Sequence, residues 1–224
     1  KFMFDSGSSL GNIENNIARN DVDEITNFLP IDFCINAILG NHNEIVKIFA
    51  GDETAVWNRG VNYLKKMIIK KVKEPADIVI ASPGGYPKDI NLYQAQKGLA
   101  HASEVVKEGG SIILLAECRE GLGNSEFANW MNDSSSPMEV VDKFKHSKFM
   151  LGAHKAYLFS KSLLKADTYL VSDKLYSDRS LEKILKISIY DNIQSPINKV
   201  FKKYGSSCNI IIIPKASSII PSLE

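Results

Sequence analysis

The 224-residue chain is 44% hydrophobic and carries 27 Lys plus Arg against 26 Asp plus Glu, a formal charge of +1. That size and apolar content suit a buried core, in one large domain or two small ones. The near-zero charge excludes a global field for nucleic acid or a lipid surface, so charge-based recognition must be local, and apolar runs such as residues 210–213 fall far short of the roughly 20 residues a membrane span takes.

The opening stretch, KFMFDSGSSLG, has neither a starting Met nor the charged and apolar regions of a signal peptide, and the chain is read as a fragment. Alternating residues 32–39 and 44–50 flank Gly40-Asn41-His42-Asn43, a turn-forming cluster, which predicts a β-hairpin with His42 in its turn. Gly51 and Asp52 offer a helix start, and Ala55, Val56, Val61, Leu64, Met67 and Ile68 recur at helical spacing before Pro75. Residues 1–74 are therefore expected to form a helix, a hairpin and a long helix.

Beyond Pro75 the pattern changes to strands alternating with helices. Residues 77–82 are a β-branched run, 89–107 read as a helix, and 111–117 are another apolar strand. A strand, a helix and a strand at this spacing predict a right-handed parallel βαβ unit. Residues 168–172, 187–190 and 209–213 repeat the strand pattern, and 125–131, 137–146, 153–164 and 196–204 the helical one. The expected fold class is α/β: a mostly parallel sheet flanked by helices over residues 75–224, preceded by the smaller helix-hairpin-helix segment.

Cys34, Cys118 and Cys208 are far apart and lie in or beside apolar runs, which predicts buried reduced thiols and a cytoplasmic protein. His42, His101, His146 and His154 show no metal-binding spacing; His154, after Gly152-Ala153 at a predicted helix start, is kept as a minor site candidate. Trp57 and Trp130 read as core or interface anchors.

In open parallel sheets ligands bind beyond the carboxyl ends of the strands, where helix N-termini present N–H groups. The loop after the first strand, Ser82-Pro-Gly-Gly-Tyr-Pro-Lys-Asp89, holds Gly84 and Gly85, which permit positive φ and close approach; it is either a ligand loop or a tight strand-to-helix connection, with Asp89 as N-cap. It matches neither GxGxxG nor a phosphate-binding P-loop. In the following helix Tyr93, Gln94 and Lys97 fall within an arc of about 100°. A phenol, a carboxamide and an ammonium together suit a small hydroxylated carboxylate, although a solvated helix face has the same composition. Arg119, at the end of the second strand, either binds an anion or braces Glu117 or Glu120. Lys174 and Arg179, in a predicted third loop over 173–179, read as surface charges.

The stretches SPGGYPKDINLYQAQKG, GGSIILLAECREGLG and LGAHKAY resemble the C-terminal domain of the nickel-pincer lactate racemase family, and DFCINAILGNHNEIVKIFAGD is similar to the segment just before it. The resemblance implies a 2-hydroxy-acid racemase with its cleft between two domains. It implies a nickel-pincer nucleotide as cofactor, taking the α-hydrogen as hydride while a histidine takes the hydroxyl proton. Such a division is chemically sensible, because that α-hydrogen is too weakly acidic for side-chain bases alone.

Carried onto this chain, Tyr93, Gln94 and Lys97 match the family's Tyr-Gln-x-x-Lys set around substrate and cofactor. The resemblance gives Lys97 and Gln94 catalytic positions, Tyr93 and Lys97 contact with the cofactor, and Tyr93 contact with substrate; Gly84, Gly85 and Arg119 are substrate-contact candidates from their place in the loops after the strands. Their role is positioning and charge complementation. The family's proton-transfer histidines, tethering lysine and nickel-binding histidine belong to an N-terminal domain, and no histidine here occupies a matching motif. The chain is thus expected to hold one wall of the site, with no metal ligand, no bound nickel and no activity alone. A non-catalytic α/β module that binds a small anion is the alternative.

Overall fold

The structure, a computed structural model, describes residues 2–40 and 43–224, with Asn27 described by its backbone only. The turn predicted at Asn41 and His42 lies outside the described residues. Two compact units are present, Lys1–Ile69 and Lys70–Glu224.

In the first unit a short 3-10 turn at Phe2–Phe4 precedes α1 (Ile17–Phe28), which starts at Asn16 because its side chain accepts the N–H groups of Ala18 and Arg19. Strands β1 (Cys34–Leu39) and β2 (Ile45–Gly51) pair antiparallel as the predicted hairpin. Helix α2 (Glu53–Ile68) is capped by Asp52 through the Ala55 N–H and packs on the hairpin, with the Phe49 and Tyr63 rings edge to face at 6.0 Å. Trp57 anchors this unit under the Arg19 guanidinium, 3.7 Å from the ring centre.

Helix α2 stops short of the predicted boundary at Pro75. Residues Ile69–Val72 form β3 instead and pair with the last strand, β9 (Ile220–Leu223). A partner from the far end of the chain is invisible to local periodicity, so this ribbon was not expected.

The main sheet grows from β4 (Ala76–Ala81), whose residues ADIVIA are buried on both faces as a central parallel strand requires. Helix α3 (Leu92–Ser103) crosses over to β5 (Val106–Leu115), giving the predicted βαβ unit. Next come α4 (Ser125–Asn132), α5 (Pro137–Lys145), α6 (Ala153–Lys165) and β6 (Asp167–Val171). Short helices α7 (Asp173–Tyr176) and α8 (Ser180–Leu185) lead to β7 (Ser188–Tyr190), and α9 (Gln194–Tyr204) to β8 (Ile210–Ile213). The five strands are parallel in the order β7-β6-β5-β4-β8. Strand order reverses at β4, because β8 returns to its free side.

Helices α3 and α6 pack on one face of this sheet. On the other, α9 presents Val200 and Ile197 to Ile78, Ile113 and Tyr169. Beneath α4 and α6, Phe127 and Phe159 are fully buried with ring centres 5.7 Å apart, and each contributes on the order of 2–3 kcal/mol by leaving water. Trp130 is buried beside Phe144 as the predicted core anchor.

Three expectations need correction. The helix predicted over 89–107 is shorter at both ends, since Val106 already joins the sheet against Ala76. The predicted third loop, 173–179, contains α7, because Ser172 caps it through the Leu175 N–H; Lys174 and Arg179 are nonetheless exposed. Of the three thiols, all free, only Cys118 is buried, whereas Cys34 and Cys208 are half-buried. Among the described residues no helix is long and apolar enough to cross a membrane.

Candidate functional site

At the carboxyl end of β4 the chain turns into the double-glycine loop. Ser82 donates its N–H to the Ile213 carbonyl and accepts from Ala216, which ties the loop to the end of β8. Gly84 and Gly85 have φ of +116° and +74°, and a Cβ on Gly85 would meet nothing within 4 Å. The pair is therefore required by backbone conformation, and Gly85 is bordered by open space.

The first two loops are zipped together. Cys118 and Glu120 donate their N–H groups to the carbonyls of Asp89 and Ile90, and Leu92 and Tyr93 donate theirs to Gly121 and Leu122. Asp89 is not the predicted N-cap: Asn91 takes that position, its side chain accepting the Gln94 N–H at 3.0 Å, while Asp89 is buried and accepts from Glu117. The free N–H groups expected at this helix terminus are likewise taken, since those of residues 92–95 all have acceptors within the protein.

What α3 does present is side chains. The Lys97 ammonium is exposed and donates to the Gln94 carboxamide oxygen at 2.9 Å. Tyr93, one residue before Gln94, is half-buried with its ring edge to face against Phe127 at 6.4 Å and His154 at 6.3 Å. The structure thus joins Lys97 to Gln94, and the neighbouring Tyr93 to the minor candidate His154. His154 accepts the Gly152 N–H on Nδ1 at 3.2 Å, and burial together with the neighbouring Lys155 charge lowers its pKa, which favours the neutral imidazole.

Arg119 stands apart from this cluster in its pairing. Its guanidinium binds Glu117 at 2.9 Å and lies 4.7 Å from the Tyr86 ring centre, an arrangement that braces the double-glycine loop against the second loop. His101 is half-buried with Nδ1 2.6 Å from the Ala216 carbonyl. Of the described cavities, one is lined by Tyr169, Lys186 and Lys199, and the other, lined by Val72, Ile212, Lys215 and Pro221, borders the double-glycine loop through Lys215.

Two residues escaped the sequence reading. Lys155, on α6, donates its ammonium to the buried Gln96 of α3 at 3.0 Å and lies 5.7 Å from the Tyr93 ring centre. The signal was present in the stretch LGAHKAY, where Lys155 follows His154, but nothing local says that its partner is 59 residues away.

As a metal centre the arrangement lacks donors: among the described residues no three His, Cys, Asp or Glu side chains stand together. Its hydroxyl, amide and ammonium groups instead match an oxyanion and its neighbouring hydroxyl.

Comparison with known proteins gives a consistent picture. Residues 71–221 match the family model described as the lactate racemase C-terminal domain. The chain is 27% identical over 223 residues to a lactate racemase of Lactiplantibacillus plantarum, covering 98% of this chain and 52% of that protein. It is 34% identical over 143 residues to a lactate racemase of Thermoanaerobacterium thermosaccharolyticum, covering 64% of this chain and 33% of that one. The structure of the lactate racemase apoprotein from the latter organism superposes with a TM-score of 0.92 at 26% identity, covering 98% of this chain and 53% of that one. The chain therefore spans about half the length of the L. plantarum relative.

Proposed function

Because this chain belongs to the lactate racemase family through its C-terminal domain, we propose that it forms the substrate-side wall of an isomerase interconverting the enantiomers of a small 2-hydroxy acid. The observation that carries the reading is the Lys97–Gln94 pair on α3, inside the matched region and beside Tyr93. In this reading the Lys97 ammonium faces the substrate carboxylate. Gln94 holds Lys97 through its carbonyl oxygen and keeps its NH2 for the substrate oxygen. Tyr93, whose ring is held edge to face by Phe127 and His154, would offer its hydroxyl to the same ligand. These groups position and neutralise the ligand without abstracting a proton.

The cofactor that the resemblance implies, a nickel-pincer nucleotide, supplies the hydride acceptor when bound. The residues described here fit contact with its anionic or hydroxylated parts and not ligation of its metal, so the nickel donors come from the portion of the relatives that this chain does not span. In this reading the first unit, Lys1–Ile69, is the end of that other domain, and the expected boundary at residue 74 moves back because β3 pairs with β9. The first unit accordingly carries Phe28, Leu29, Phe33 and Ile35 at 86%, 74%, 62% and 69% exposure, an apolar surface suited to burial in a longer protein. By itself the chain is expected to be inactive.

The test is racemisation of a panel of D- and L-2-hydroxy acids by the full-length gene product matured with its cofactor, with and without Lys97→Ala. Loss of roughly tenfold or more in kcat/KM is expected, the size of one charge-assisted contact. Parental rates on every substrate would leave the chain as a non-catalytic anion-binding module.

A further inference from the structure

With the N–H groups of residues 92–95 already bonded within the protein, an anion arriving at the start of α3 meets no free helix terminus. Charge has to come from side chains, and two ammonium groups are present. Lys97 leans on Gln94 at 2.9 Å, and Lys155, from α6, leans on Gln96 at 3.0 Å. Lys155 also borders Tyr93, 5.7 Å from its ring centre.

Neither lysine belongs to any ion pair among the described residues. An ammonium has three donors, and Lys155 uses one of them on Gln96. Gln96 is itself 1% exposed, and its Nε2 has no hydrogen-bond partner. A half-buried cation with no counter-ion, held by a buried amide with an unspent donor, is costly unless a ligand supplies the missing charge.

We propose that Lys155 is a second cation of this face and binds a small oxyanion jointly with Lys97, with Gln96 fixing its position. The inference rests on the reading of Tyr93, Gln94 and Lys97 given above and deepens it. The oxyanion is either the carboxylate of the 2-hydroxy acid or a phosphate, which share the same chemistry. Burial and the Lys97 charge pull the Lys155 ammonium down to about 8; the other titratable groups that the contacts place beside it are His154, whose pKa is also lowered, and the Tyr93 phenol. An oxyanion beside the Lys155 ammonium favours its charged form and raises its titration midpoint.

The experiment follows the Cε resonances of the [13C]lysine-labelled chain against pH, with D-lactate, L-lactate or inorganic phosphate added separately, and assigns Lys155 from Lys155→Arg. With lactate the Lys155 midpoint, about 8 in the free chain, is expected to rise by roughly one unit. Lys155→Met weakens lactate binding roughly tenfold, while Lys155→Arg, which keeps the charge, retains most of it. A response to phosphate alone upholds the oxyanion site and assigns it to a phosphate rather than to the 2-hydroxy acid carboxylate. A Lys97 resonance that moves with lactate beside a Lys155 resonance that does not overturns this inference and leaves the Lys97 assignment standing. If neither lysine responds to either anion, both fall.

Discussion

The side chain of Asn91 lies against the Cα of Gly123: a Cβ built on Gly123 would come within 2.2 Å of the Asn91 Cγ, at a backbone φ of +82°. Asn91 caps α3, so this one contact joins the second loop to the first turn of the helix that carries Tyr93, Gln94 and Lys97. Gly123→Ala has to strain the backbone and displace the cap together. A loss of about 1–3 kcal/mol is expected for the conformation alone, with about 1 kcal/mol for Asn91→Ala. Urea unfolding of the two variants and their double mutant checks this; strictly additive losses would separate the cap from the glycine.

The Cys118 thiol is buried, and burial followed by the nearby Asp89 charge pushes its pKa up to about 12. Thiolate is the reactive form, so Cys118 is close to inert at neutral pH. Native protein treated with Ellman's reagent is expected to release thionitrobenzoate promptly for Cys34 and Cys208, the half-buried thiols, and for Cys118 only on denaturation. Three thiols reacting at one rate would show that the loop around Cys118 opens freely.

At the opposite end of β4, Asp77 accepts from the Lys107 ammonium at 2.7 Å and from the Asn209 N–H at 2.9 Å. The Lys107 hydrogen bond, then the Asn209 one, lower the Asp77 pKa below its ordinary value. A folded pKa below the unfolded one stabilises the protein above the unfolded value, about 3.9, and that contribution disappears as pH falls through the folded pKa. Unfolding midpoints at pH about 6 and about 3 should therefore differ less in Asp77→Asn than in the parent. The effect is small, since the pair is partly screened by solvent. An unchanged difference would show that Asp77 titrates alike in both states.

Much of the architecture is legible in the chain itself. The runs that became β4, the second half of β5 and β6 are β-branched and apolar because both faces of the sheet are covered there, and that pattern survives in the sequence of each strand alone. The shared face of Tyr93, Gln94 and Lys97 is equally local, since helical spacing dictates it wherever the helix sits. The ribbon of β3 and β9 was not legible, because Ile69–Val72 continues a helical pattern until a strand from the other end of the chain competes for it.

The site followed the same division. Residue types and their spacing determined, from the sequence alone, that α3 carries a phenol, an amide and an ammonium on one side. Tertiary structure alone decided that Asn91 rather than Asp89 caps this helix, that the second loop consumes its first N–H groups, that Arg119 is tied to Glu117 and Tyr86, and that Lys155 joins the cluster through Gln96. The reason is physical: spacing along a helix is set by bonded geometry within a few residues, whereas which donor meets which acceptor depends on how separate elements pack, and the free energy of that choice is spread over the whole core.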